Sequence, residues 1–165
     1  MAHFKFLNDK NFLILFLTAA LLISCSRKED LLPGDIDGAK LTKKITGDEA
    51  RILVDKIHFS PVAAGRENEI GYYDKNGNQS TIYITYYGNS EEAIADFDKM
   101  TKKISPGNSV FVAPSFIDFN GLKVYRCFGM GQAHFVFVHN NALIWLSTET
   151  VSSKSFLGEY IKLLK

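Results

Sequence analysis

Three dipeptides, Asn76-Gly77, Asn120-Gly121 and Asn140-Asn141, limit what this chain can fold into more than any other feature. Each stands between two stretches in which side chains alternate with period two. A two-residue type I′ turn needs φ > 0 at both central positions, which Asn and Gly tolerate best, so such a pattern marks a β-hairpin. The chain is therefore committed to antiparallel pairing at three places.

Pairing outward from Asn76-Gly77 aligns Glu69 to Lys75 with Gln79 to Tyr87. It puts Tyr73, Ile82, Ile84 and Tyr86 on one face, and Ile70, Tyr72, Thr81, Tyr83 and Tyr87 on the other. Around Asn120-Gly121, Ile117, Phe119, Leu122 and Val124 share a face, while Asp118 and Lys123 pair on the other, as suits a solvated edge. Around Asn140-Asn141, Phe135, Phe137, Ile144 and Leu146 line one side, and Val136, Val138, Leu143 and Trp145 the other. Both sides are apolar, which predicts central strands covered twice.

Between the hairpins the period lengthens to that of a helix. Thr46 and Glu49 have capping-box spacing, and Ala50, Leu53, Val54 and Ile57 then share a face until Ser60-Pro61. Asn89, with Glu92 three residues on, opens a second helix carrying Ile94, Phe97, Met100, Thr101 and Ile104, which Pro106-Gly107 stops. A third begins near Ser152, with Phe156, Leu157, Tyr160, Ile161 and Leu164 as its apolar stripe. The expected fold is α+β: about six antiparallel strands in three hairpins, with three helices packed mainly on one face. The order is α-ββ-α-ββ-ββ-α, and the first and third hairpins each precede a helix, which points to a duplicated ββα unit.

The N-terminus reads differently. Lys5 and Lys10, offset by Asp9, precede an apolar run from Phe12 to Ile23, with Thr18 its polar member. The run is shorter than the ~20 residues that span a bilayer and matches a secretory signal. Leu22-Ile23-Ser24-Cys25 closes it and resembles the lipobox of bacterial lipoproteins. The resemblance implies cleavage of residues 1–24, lipid on Cys25, and export to the cell envelope, at the outer membrane or periplasmic face. The membrane is then a partner through that lipid. Each buried lipid CH₂ contributes about 0.8 kcal/mol, so several chains anchor stably. Residues 25–45 are expected to form the lipidated cysteine and a tether, broken by Pro33, Gly34 and Gly38, and residues 46–165 a single α+β domain. That domain looks like the small domains common in bacterial lipoproteins, a likeness that implies no mechanism.

Beyond residue 24 the chain keeps 17 of its 19 basic and 17 of its 18 acidic residues, because Lys5, Lys10 and Asp9 lie before it. A balanced charge excludes nucleic acid and anionic lipid as partners, since both need a basic excess. With Cys25 lipidated, Cys127 stands alone and no internal disulfide can form.

Few residues point to chemistry. Cys127, Met130 and His134 offer thiolate, thioether and imidazole, soft donors suited to copper. Against that, Gly129 and Gly131 mark a loop that need not converge them, and a strand cysteine commonly serves as a small hydrophobe. His134 and His139 are an odd number apart and face opposite ways. Gly129-Met130-Gly131 lacks the helix that would aim amides at a phosphate. His58 suits the negative end of the first helix. No nucleophile elbow or paired carboxylates are recognisable, and no cofactor is expected. Tyr72, Tyr83 and Tyr87 project together from the first hairpin and form a candidate surface for a ligand or partner, because tyrosine combines contact area with a polar tip. The favoured function is a non-enzymatic, membrane-anchored binding module for an envelope protein, a second copy or an apolar ligand. The alternative is copper handling by Cys127, Met130 and His134.

Overall fold

A computed structural model describes residues 29–58, 61–105 and 110–164. Residues 1–24, expected to be a signal segment, and Cys25, Ser60 and Pro106-Gly107 lie outside them.

The three anticipated turns form, and two more join them. Asn76 and Gly77 have φ of 56° and 88°, Asn120 and Gly121 55° and 82°, and Asn140 53°. Asp37-Gly38 (54° and 79°) and Met130-Gly131 (52° and 77°) take the same left-handed geometry. The strands they join are β1 (Asp35–Ile36), β2 (Ala39–Thr46), β3 (Glu67–Lys75), β4 (Asn78–Tyr86), β5 (Val112–Phe119), β6 (Leu122–Gly129), β7 (Gln132–His139) and β8 (Ala142–Glu149). Helices α1 (Gly47–His58), α2 (Ser90–Ile104) and α3 (Ser153–Leu163) follow β2, β4 and β8.

The sheet therefore has eight strands rather than about six, in the order β1-β2-β3-β4-β8-β7-β6-β5, antiparallel throughout. The extra pair, β1 and β2, lies in the stretch expected to be a tether. Lys40, Lys43 and Lys44 give β2 a polar look, and Pro33, Gly34 and Gly38 read as breakers. Yet Ala39 and Ile45 are buried, and Asp37-Gly38 is itself a hairpin turn, with the Asp35 carboxylate accepting from the Gly38 N–H at 3.0 Å. Lysines on the outer strand also guard a sheet edge against pairing with another chain. β2 runs directly into α1 through Gly47, whose φ of 63° would strain any side chain.

The helices do not gather mainly on one face either. Tyr73, Ile82, Ile84, Phe135, Phe137, Ile144 and Leu146 pack under α3 with Phe156, Leu157, Tyr160 and Ile161. On the opposite face α2 buries Ala93, Phe97 and Ile104 against Tyr125, Cys127, Val136 and Leu143. Beside it α1 sets Ala50 and Val54 on Ile45 and Ile70. Two members of the anticipated stripes, Ile57 and Ile94, point outward. The Asn89 side chain caps α2, accepting from the Glu92 N–H at 2.9 Å. The β7–β8 hairpin is covered twice, as its two apolar sides require. The anticipated ββα duplication is not what forms: the strand order reads the same from either edge, but the first four strands are interrupted by α1 while β5 to β8 run on without a helix, and α2 and α3 sit on opposite faces.

Leu31–Lys165 is one compact unit. Its first residues close the α3 face. Leu31 and Leu32 are buried, Tyr160 donates to the Leu31 carbonyl at 2.8 Å, and Tyr73 donates to that of Pro33 at 3.0 Å. Gly71 makes room for this: a Cβ there would meet Leu32 Cδ2 at 2.8 Å. Leu32→Ala should accordingly cost about 2–5 kcal/mol in urea unfolding, the range for a buried leucine. A change below about 0.5 kcal/mol, the size of a surface substitution, would show that this segment does not belong to the core.

Candidate functional site

The tyrosine trio is largely spent on packing. Tyr72 and Tyr83 lie half-buried against the α1 cluster with Leu53. Burial, with Tyr72 alongside, raises the Tyr83 hydroxyl above its usual range. Tyr87 is 7% exposed and lies under the Arg66 guanidinium, 4.4 Å from ring centre to Cζ. Arg66 also pairs with Asp96 of α2 at 3.1 Å and donates to the Val62 carbonyl at 2.7 Å. Burial pushes the Asp96 carboxyl up, but Lys99, Arg66 and Tyr87 outweigh it and hold it below the usual range. This knot ties the α1–β3 connection to α2. The helices that occupy this face are what the sequence pattern of β3 and β4 could not show.

The proposed copper donors are only partly assembled. Cys127 and His134 are direct partners across β6 and β7. Met130 stands apart in the turn, 73% exposed. Trp145 donates its indole N–H to His134 Nδ1 at 3.1 Å, so that nitrogen is the acceptor. Nε2 then carries the proton and donates to the Gly129 carbonyl at 3.0 Å. Both ring nitrogens are thus engaged within the protein. Phe111 closes over the pair, with ring centres 4.9 Å from His134 and 5.4 Å from Trp145. Burial pushes the Cys127 thiol up to about 11 and so keeps it protonated. Among the described residues no group of three His, Cys, Asp or Glu side chains could hold a metal ion. The geometry is that of a packed core.

A more open site lies on the other face. Eight strands at about 4.8 Å spacing make a sheet roughly 34 Å wide, and a helix about 10 Å across covers about two of them. The N-terminal segment and α3 close one part of this face, and the flank over β5, β6 and β7 keeps a pocket of about 280 Å³. Ile117, Phe119, Phe128, Phe135 and Leu157 form its apolar wall; Thr150, Val151, Ser153 and Lys154, where α3 begins, form its rim.

Arg126 also lines it. On β6 it faces the same way as Leu122, Val124 and Phe128, so the alternation of the strand turns a guanidinium toward the core. Its Nη2 donates to Ser115 Oγ at 3.1 Å, and its Cζ lies 5.4 Å from the Phe128 ring centre. Its Nε is buried without a hydrogen-bond partner. The signal for this residue was present in the sequence: a cation at an inward-facing position of a hairpin whose other inward residues are apolar.

No protein-family model matches the chain, and no curated protein or solved structure matches it either.

The burial of His134 makes a pH-dependent prediction. Burial lowers its pKa below the ordinary 6.5, against the opposing hydrogen bond to Gly129. The unfolded chain therefore takes up this proton first on acidification, and the stability contributed by neutral His134 is complete above about pH 6.5 and lost progressively below it. His134→Gln should flatten stability against pH between about 6.5 and 5, measured as urea midpoints. An unchanged slope would show that His134 does not titrate differently on folding.

Proposed function

We propose that this protein is an exported lipoprotein, anchored in the cell envelope through lipid on Cys25, whose domain binds an apolar ligand without transforming it. The basic start, the short apolar run and Leu22-Ile23-Ser24-Cys25 support the anchor. The observation that carries ligand binding is the pocket under the start of α3. It has an aromatic and aliphatic wall and few polar groups, as small-molecule sites do. At about 280 Å³ it lies near the lower end of the usual range, which favours a slender ligand over a bulky one. A ligand supports the observed arrangement better than an envelope protein docked on the tyrosines, because Tyr87 is 7% exposed and clamped beneath Arg66.

Two measurements test this reading. Residues 26–165 contain the whole described fold and should enhance the fluorescence of the neutral apolar probe N-phenylnaphthylamine. Ile117→Trp, at a half-buried position of the wall, narrows the pocket and should reduce that binding at least tenfold while circular dichroism stays native. Equal binding by both proteins would remove the pocket as the site. For the anchor, Cys25→Ser should move the full chain from the membrane fraction to the soluble fraction; continued membrane retention would refute lipid attachment.

A further inference from the structure

The pocket carries a charge its wall does not answer. Arginine stays protonated at any physiological pH, so the Arg126 guanidinium is a fixed cation. Arg126 is half-buried, and the part of a cation that is withdrawn from water needs a counter-charge or acceptors. Arg126 has one hydroxyl acceptor, Ser115 Oγ, and a buried Nε without any. Among the described residues no carboxylate lines the pocket. Lys154 at the rim adds a second cation, and among the described residues neither it nor Arg126 has an acidic partner. The first turn of α3, which borders the same rim, carries no acidic residue, and Ser152 makes no side-chain cap to it. The nearest carboxylate in sequence, Glu149, accepts from Ser152 Oγ at 3.2 Å and lies outside the lining. Opposite these cations the wall is hydrocarbon: Ile117, Phe119, Phe135 and Leu157.

Resting on the reading of this pocket as the ligand site, we infer that its ligand is a single-chain amphiphile with one compact anionic head, a carboxylate or a phosphate monoester. The head accepts from the Arg126 fork, which suits the planar oxygens of such groups. The tail lies along Phe119, Phe135 and Leu157. A water-sized group occupies about 30 Å³ in a liquid, so the pocket holds a chain of roughly nine methylene-sized groups.

The test is displacement of N-phenylnaphthylamine from residues 26–165 by decanoate, decyl phosphate and decanol, which share a tail and differ in head. Decanoate or decyl phosphate should bind at least tenfold more tightly than decanol, and the tighter of the two identifies the head. Arg126→Gln should abolish this preference over decanol. Arg126→Lys, which keeps the charge without the fork, should retain part of it and guards against loss of fold in the first variant. Decanol binding as tightly as both anions would overturn the anionic head and leave the apolar site standing. Failure of the probe and all three amphiphiles to bind would overturn both readings.

Discussion

The pairing of β4 with β8 is the contact on which the rest of the molecule depends. Strands β1 to β4 form one antiparallel run, with α1 inserted between β2 and β3, and β5 to β8 form another joined by tight turns alone. Either alone leaves a long central strand with a row of unpaired backbone groups. Joining them sets Ile82 against Leu146 and Ile84 against Ile144 on one face, and Tyr83 against Trp145 on the other. The α3 core then runs unbroken across both halves, and the buried Ser80–Thr148 hydroxyl pair, 2.7 Å apart, fixes the register within it. A slip by one residue would exchange the faces and bury the wrong set of side chains under each helix. The pairing links residues far apart in sequence, from Tyr86 with Ala142 to Thr81 with Ser147, so its loop-closure cost must be met by this double-sided burial.

The two faces are closed by different means, and this leaves the pocket where it is. On one, α1 and α2 cover different clusters, and the α1–β3 connection is tied to α2 through Arg66, Asp96 and Tyr87. On the other, among the described residues, there is a single helix of 11 residues, helped by Leu31, Leu32 and Ile36. Those residues and α3 make a continuous cover with Tyr73 and Tyr160. The β5–β7 flank receives the first half of α3, Ser153 to Gly158. An uncovered apolar flank is thus a consequence of strand number against helix number.

The local grammar of the chain was readable because its turns obey strict backbone rules. Asn76-Gly77, Asn120-Gly121 and Asn140-Asn141 set the register of three hairpins, and with it the faces of Ile82, Tyr83, Phe135 and Trp145. Asp37-Gly38 carried an equal signal, but two-residue β1 and lysine-rich β2 offered no alternation beside it. Met130-Gly131 was obscured because methionine seldom takes a φ of 52°. Helix placement was not legible, since period 3.6 shows that a face is buried without saying against which side of the sheet. For the same reason Tyr72, Tyr83 and Tyr87 read as an available surface until α1 and α2 were set upon them. Cys127 and His134 do meet, as the copper reading required, but they meet inside a core that occupies both imidazole nitrogens.

Glu69, Asp96 and Arg126 are each partly or wholly withdrawn from water, and they are not treated alike. Glu69, 7% exposed, has Lys44 at 3.4 Å and the Tyr86 hydroxyl at the same distance. Asp96 has Arg66 and Lys99. Both follow the rule that a charge removed from water must be answered, because removing one partner of such a pair leaves a penalty of several kcal/mol, about 3–5 where burial is complete. Arg126 departs from it, with a neutral hydroxyl, an aromatic ring and a vacant Nε. A leucine or methionine at this position would continue the apolar run of Leu122, Val124 and Phe128 at lower cost. The unpartnered Nε of this half-buried cation carries a cost that the fold itself does not offset. An anion in the pocket would offset it, which is why the residue that fits the fold least well is the one proposed to select the ligand.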